Sequence, residues 1–415
     1  MREGYFPPIG KLTVSRANFA GQNSSIINCA AIGGGMEIIM LEEKMIKGKW
    51  SREKAWEWYN AQPWIRGFNG YPSNCVNRIA IWQEYNHKEV FEQIEYEFDL
   101  ARKTGFNSAR AILQFEVWLY EHDSFMNNLE EYFVLADKYG IKIMLTLAGD
   151  CNVPKALYRF GYENFGEQKV DWGYHSGLKR GQHAGGHVDH GYALYDEPEC
   201  AEKFLEMVDE IASKYAKDPR LHIWDVWNEP GNSRRGELSC ALMERCFEII
   251  RSHDQIQPIT TASWKYVAKG QFRVTDHIEL RAMELSDIIS FHCYQPVHDV
   301  VGIIEALKED YGRPIVNSEW LNRILENSIH RILPIFYIEN IGSFHWGLIQ
   351  GYSQTYEPVL PLYRMAEHNP AYDTRKWMHD LYHFNGYPYD KTEIELIQQL
   401  AKMADEKFEN GGRKL

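Results

Sequence analysis

Cysteine is sparse in this chain and is not arranged for pairing. Its 415 residues include 7, at positions 29, 75, 151, 200, 240, 246 and 293, with no CxxC pair among them. An odd, scattered set reads as reduced thiols in a cytoplasm-like compartment rather than a disulfide framework. Positive charge is also short. There are 45 Lys and Arg against 58 Asp and Glu, a formal net charge of −13. That argues against a nucleic-acid partner, because phosphate binding needs clustered Lys and Arg, and it disfavours polyanionic substrates. Long apolar runs are missing too. The richest stretch, "IINCAAIGGGMEIIML" (26–41), is interrupted by Asn28 and Glu37. It falls short of the roughly 18 apolar residues of a membrane span, and no charged-then-apolar leader precedes it. The expectation is a soluble, cytoplasmic protein with no membrane partner. Phosphate-loop and dinucleotide fingerprints and a Ser-His-Asp pattern are likewise absent, and no cofactor is expected. Residues 1–45 fit nothing downstream and read as an extension of unknown role, with Met36, Met40 and Met45 as alternative starts.

Aromatic residues, by contrast, are abundant: 14% of the chain, with 13 Trp and 25 Tyr. Large cores use many aromatics, and flat rings also suit the C–H faces of sugars; composition does not choose. Periodicity is more telling. From Trp64 onward, short apolar runs alternate with amphipathic segments. The runs are 64–69, 106–112, 141–147, 222–228, 258–263, 287–292, 314–319 and 342–347, eight candidate strands. Between them, Phe204, Val208, Ile211 and Tyr215 share one helical face, as do Leu238, Leu242, Cys246 and Ile249. The junctions "KTG-FN", "KYG-IK" and "DYG-RP" repeat one device: a charged last helical turn, a Gly cap, then a strand. Eight β/α units predict an α/β fold, a (β/α)8 TIM barrel built as a single domain over 46–415. A closing helix is expected over 390–408. The segment 148–198 has no clear periodicity and is a long loop after the third strand, of a length that is usually functional.

Barrel chemistry is built at the C-terminal ends of the strands. There the sequence offers Asn69 on the first strand, Arg110 on the second, Asn228-Glu229 on the fourth, His292 and Tyr294 on the sixth, Glu319 on the seventh and Trp346 on the eighth. Two glutamates facing one pocket raise each other's pKa, an arrangement unfavourable unless something uses it. Paired carboxylates across a cleft are the equipment for cutting a glycosidic bond.

In "WDVWNEPGN", "PIVNSEW" and "FHCY", with Arg110 and Trp346, the chain resembles the glycoside hydrolases of clan A, in particular glycoside hydrolase family 5 and its cellulase-like relatives. The segments "PWIRGFNGYPSNCVNRIAIWQ" and "DLYHFNGYPYDKTEIELI" are similar to a bacterial group labelled cellulase-like or xylanase-like. The resemblance implies Glu229 as acid/base, Glu319 as nucleophile, and Arg110, Asn228, His292, Tyr294 and Trp346 around the sugar, with Asn69 nearby. The family's His at the end of the third strand is missing; "LAGDCN" stands there, so Asp150 or a residue of the long loop is expected to replace it.

The implied activity is retaining hydrolysis of a neutral β-linked oligosaccharide or glycoside by double displacement, with carbohydrate as the partner. Arg110 and Tyr294 are expected to favour the Glu319 carboxylate, and its charge to keep Glu229 protonated. A catalytically silent sugar-binding barrel and a transglycosylase remain alternatives. The loop 174–191 holds His175, His183, His187 and His190 with Asp189, but their spacing matches no zinc pattern. A wall over the cleft is the better reading, one that would close one end and favour exo action; no metal site is expected.

Overall fold

The computed structural model describes residues 46–151, 161, 165–168, 194–196, 198–233, 235–265 and 272–411. The expected extension 1–45 and the His-rich loop 174–191 therefore lie outside the described residues, as does most of 148–198. By compactness the chain divides into residues 1–47 and 48–415. Every strand and helix below belongs to the second unit.

Nine strands form one parallel sheet: β1 Arg66–Asn69, β2 Ser108–Ile112, β3 Lys142–Thr146, β4 Leu221–Asp225, β5 Ile259–Thr260, β6 Ala262–Ser263, β7 Ile289–His292, β8 Ile315–Trp320 and β9 Gly342–His345. They are ordered β5-β4-β3-β2-β1-β9-β8-β7-β6. The two end strands are halves of one barrel strand. β5 pairs with β4 and β6 with β7, and Thr261 between them donates its hydroxyl to Trp227 O at 2.6 Å. The ring therefore closes as the eight-stranded barrel that the sequence predicts, with its fifth strand interrupted at Thr261.

Helices follow the strands. They are α1 Arg52–Asn60, α2 Arg78–Trp82, α3 His87–Thr104, α4 Phe115–Tyr120, α5 His122–Lys138, α6 Pro198–Tyr215, α7 Gly236–Ser252, α8 His277–Leu285, α9 Val297–Tyr311, α10 Ile329–Ile338, α11 Leu360–His368 and α12 Lys391–Glu409. The three glycine junctions are left-handed, with φ +106 at Gly105, +66 at Gly140 and +60 at Gly312. At Gly105 a Cβ would also meet the Ala401 methyl at 2.8 Å. On α6 the predicted face is buried throughout. On α7 it is rotated: Leu238 is exposed, and Met243, Phe247 and Ile250 join Leu242 and Cys246 inside. No described helix is long and apolar enough to cross a membrane.

The N-terminal mouth of the barrel is plugged. Trp50, Ala55 and Tyr59, on and before α1, pack with Ile65, Met144, Ile223, Ile288, Val316 and Phe344 in one apolar cluster. Trp56 and Tyr59 fasten the plug by donating to the carbonyls of Gly312 and Asn340 at 2.9 Å each. One strand further up, the inward residues turn polar, and the site begins.

Glu97 on α3 holds the loop after β1. Its Oε1 accepts from Ser73 N at 2.7 Å and Gln93 Nε2 at 3.0 Å. Burial outweighs these donors and pushes its carboxyl up to about 7. A folded-state pKa above the unfolded value contributes stability that is present below the ordinary carboxylate range and lost as pH rises through about 7. Glu97→Gln is therefore expected to stabilise the protein by about 3 kcal/mol at pH 8 and by nothing at pH 4. Melting curves of both proteins across that range check it; a gain that does not vary with pH would refute the ionisation argument.

Candidate active site

The fourth strand ends its regular pairing at Asp225, earlier than the sequence suggests, because Val226–Asn228 leave the ladder geometry while keeping hydrogen bonds. Val226 N donates to Thr260 O at 2.9 Å and Asn228 N to Ala148 O at 2.8 Å. Glu229 then adopts φ +50, a left-handed conformation uncommon outside glycine. Its carboxyl is thereby turned over the end of the barrel rather than along the strand.

Glu319 arrives by a different device. Val316 belongs to the barrel's interior cluster, so strict alternation would bring Ser318 inward and send Glu319 out. Pairing shifts register between Phe291 and His292 on one side and between Asn317 and Trp320 on the other. This irregularity re-aims Glu319 into the pocket.

Between the two glutamates stands His292, its Nδ1 2.8 Å from Glu229 Oε1 and 3.4 Å from Glu319 Oε2. Tyr294 donates to Glu319 Oε2 at 2.8 Å. Arg110, fully buried, is the hub. It donates through NH1 to Glu319 Oε1 at 2.8 Å and Asn69 Oδ1 at 2.9 Å, through NH2 to Asn228 Oδ1 at 2.6 Å, and through Nε and NH2 to Asp225 Oδ2 at 2.9 and 2.7 Å. Thr146 also donates to Asp225 Oδ2, at 2.8 Å. Burial opposes the Arg110 charge, but Asp225 and Glu319 more than restore it.

Of the residues named from sequence, Arg110, Asn228, Glu229, His292, Tyr294 and Glu319 thus form one bonded cluster. Trp346 is buried at the same end, its N donating to Trp320 O, next to Glu319. Asn69 and Asp150 are hydrogen-bonded within the protein. Asn69 Nδ2 is taken by the carbonyls of Ser318, Phe344 and His345, and its Oδ1 by Arg110. Asp150 is fully buried, accepting from Tyr195 OH at 2.9 Å, Trp227 Nε1 at 3.2 Å and Gly231 N at 2.7 Å. It braces the turn after Glu229. Asn228, by contrast, spends only its oxygen; its Nδ2 has no partner among the described residues.

Three members escape sequence reasoning. Asp225 carried a signal, a charged residue two positions after inward-facing Ile223. Cys151 and Asn232 carried none, and both touch Glu229 Oε2, at 2.8 and 2.5 Å. Their presence changes the electrostatics expected from sequence. Burial pushes both carboxyls up. On Glu229 the donors His292, Cys151 and Asn232 outweigh it and hold the carboxyl below its usual range. On Glu319 burial wins over the pull of His292 and Arg110. Each carboxyl therefore has donors of its own, His292, Cys151 and Asn232 on Glu229, and Arg110 and Tyr294 on Glu319.

One atom each from Glu229, His292 and Glu319 lies within 4.8 Å of the others, near enough to share a proton or a cation. Arg110 and Tyr294 already donate to the two Glu319 oxygens. A second group, His330, Asp390 and Glu393, is committed elsewhere, since Glu393 pairs with buried Arg323 at 2.6 Å.

Compared with known proteins, residues 65–339 match the model of the family described as Cellulase (glycosyl hydrolase family 5). Among solved structures the chain is similar to the exo-beta-1,4-mannosidase Op5Man5 from Opitutaceae bacterium strain TAV5, at 16% identity and TM-score 0.53, over 83% of this chain and 60% of that one. It is also similar to endo-glycoceramidase II from Rhodococcus sp., at 15% identity and TM-score 0.52, over 81% and 78%. A beta-1,4-mannanase from the sea hare Aplysia kurodai, at 15% identity, covers 69% of this chain and 88% of its own with TM-score 0.48. At such identities the likeness is one of fold. No curated protein is matched.

Proposed function

Since the chain belongs to glycosyl hydrolase family 5, a family of glycoside hydrolases, we propose that it cleaves neutral β-linked glycosides or oligosaccharides with retention, Glu319 acting as nucleophile and Glu229 as acid/base. The observation that carries this reading is the approach of the two carboxylates. One oxygen each of Glu229 and Glu319 lies within 4.8 Å of the other, which supports the roughly 5–5.5 Å carboxyl separation of retaining enzymes over the roughly 6.5–9.5 Å of inverting ones.

Glu319 attacks the anomeric carbon as the bond to the leaving oxygen breaks, and Glu229 gives that oxygen its proton. A glycosyl ester on Glu319 results. Glu229, now a carboxylate, takes a proton from water, whose oxygen attacks the same carbon and releases Glu319. Before the first step the proton must reside on Glu229. His292 lies in reach of both carboxyls, and a leaving oxygen seated against Glu229 supplies the acceptor that draws the proton across. Asn228 Nδ2 is free to donate to the sugar 2-hydroxyl, a contact that strengthens as the oxocarbenium character develops. Trp346 offers an apolar floor.

A product-profile assay over β-gluco-, β-galacto-, β-manno- and β-xylo-oligosaccharides tests the reading. One of the solved structures named above is an exo-beta-1,4-mannosidase, so the manno series is the first choice. The expected result is turnover with the β-anomer as first product by NMR. An α-anomer formed first would overturn the retaining assignment, and binding without turnover would favour a silent sugar-binding barrel.

A further inference from the structure

Cys151 emerges opposite Glu229 because two strand ends are laced together. Gly149 bridges to Asn228, Asp150 N donates to Asn228 O at 3.1 Å, and Asn228 N returns a bond to Ala148 O at 2.8 Å. The Asp150 side chain is then pinned by Tyr195, Trp227 and Gly231. The next residue has little freedom: its Sγ stands 2.8 Å from Glu229 Oε2 and accepts from Asn232 Nδ2 at 3.2 Å.

We propose that Cys151 is a positioning residue for Glu229: its S–H donates to Oε2 and, together with Asn232, holds the carboxyl in one orientation and stabilises its ionised form. This rests on the reading of Glu229 as the acid/base, and it gives the thiol a task in the second half-reaction. There Glu229 must stay ionised long enough to take a proton from water. Oε1 meets His292 while Oε2 meets the thiol and the amide, so each oxygen has its own donors. Burial and the neighbouring carboxylates push the Cys151 thiol up, so it remains an S–H donor and a poor nucleophile. Among the described residues, the charged and titratable groups facing Glu229 are His292 and Tyr294 at the end of β7, Glu319 on β8 with Arg110 behind it, and Cys151 after β3. Among these the thiol is the one contact from the β3 side.

The test combines a pH profile with a direct titration. In Cys151→Ala the alkaline limb of kcat/KM is expected to move up by about 0.5 to 1 pH unit, as loss of a donor raises the carboxyl. Cys151→Ser, which keeps a donor, is expected to return the limb to its wild-type position. Cys151→Val gives the same readout without a void if the alanine variant does not fold. In parallel, carbonyl-13C-glutamate NMR follows the Glu229 carboxyl without turnover, with Glu229→Gln assigning its signal. The same upward shift in Cys151→Ala is expected there. An unmoved titration in a folded Cys151→Ala or Cys151→Val protein overturns the proposal. Full turnover by Glu229→Gln instead overturns the acid/base reading, while the NMR shift still decides what the thiol does to the carboxyl.

Discussion

Glu319→Ala is expected to lower kcat on an aryl β-glycoside by about 10⁵-fold, because it removes the proposed nucleophile. Glu229→Ala should cost about 10²–10⁴-fold on a poor leaving group and much less on one that departs without a proton. Azide separates the two roles by stereochemistry. With Glu229→Ala the glycosyl ester still forms, azide intercepts it, and the product is a β-glycosyl azide. With Glu319→Ala azide takes the place of the missing nucleophile and gives the α-azide. Identical anomers from both variants, or wild-type turnover in either, would break the assignment. The readout is NMR of the azide products. It does not depend on which sugar the protein prefers, provided one aryl glycoside is turned over.

The second large effect concerns the ion cluster under the pocket. Asp225→Ala strips Arg110 of the carboxylate that takes two of its hydrogen bonds. An Arg with no exposure and a missing partner is costly: about 3–5 kcal/mol of stability is expected to go, with the reorientation of Glu319 following. Arg110→Lys is a different lesion. An ammonium has three donors and no fork, whereas Arg110 serves Asp225, Asn69, Asn228 and Glu319 from one plane. It should fold with a smaller penalty yet lose about 10²–10³-fold in kcat, the range seen when one preorganised donor is removed. Denaturant midpoints and kcat, measured on both variants, distinguish them. Equal stability and activity in Asp225→Ala would show that Arg110 is compensated in some other way.

The barrel was legible because its signals are local. A Gly after a charged helical turn demands φ > 0 wherever it occurs, and Gly105, Gly140 and Gly312 show it. The split of the fifth strand at Thr261 was not legible, since the interruption depends on Trp227 in the segment after β4. The site divides along the same line. Residues that project from strand ends in the family's order could be named. What surrounds them could not, because Cys151 and Asn232 reach Glu229 only after two loops fold against each other. The expected proton distribution counted Arg110 and Tyr294 on one carboxyl and knew of no donors on the other. Asn69 and Asp150 were polar at the right height, but polarity does not reveal that a side chain is already saturated by carbonyls, amides and hydroxyls.

The left-handed backbone at Glu229 has a cost that falls on the whole molecule. A glutamate at φ +50 gives up conformational energy that a glycine would not, and it does so while crowding a second buried carboxyl. With Glu229 as the proposed acid/base, the same position sits high on function and low on folding. Directed evolution toward heat tolerance alone, with no demand for turnover, would drift toward replacing it, and the most robust descendants of this barrel would be the ones that no longer cut.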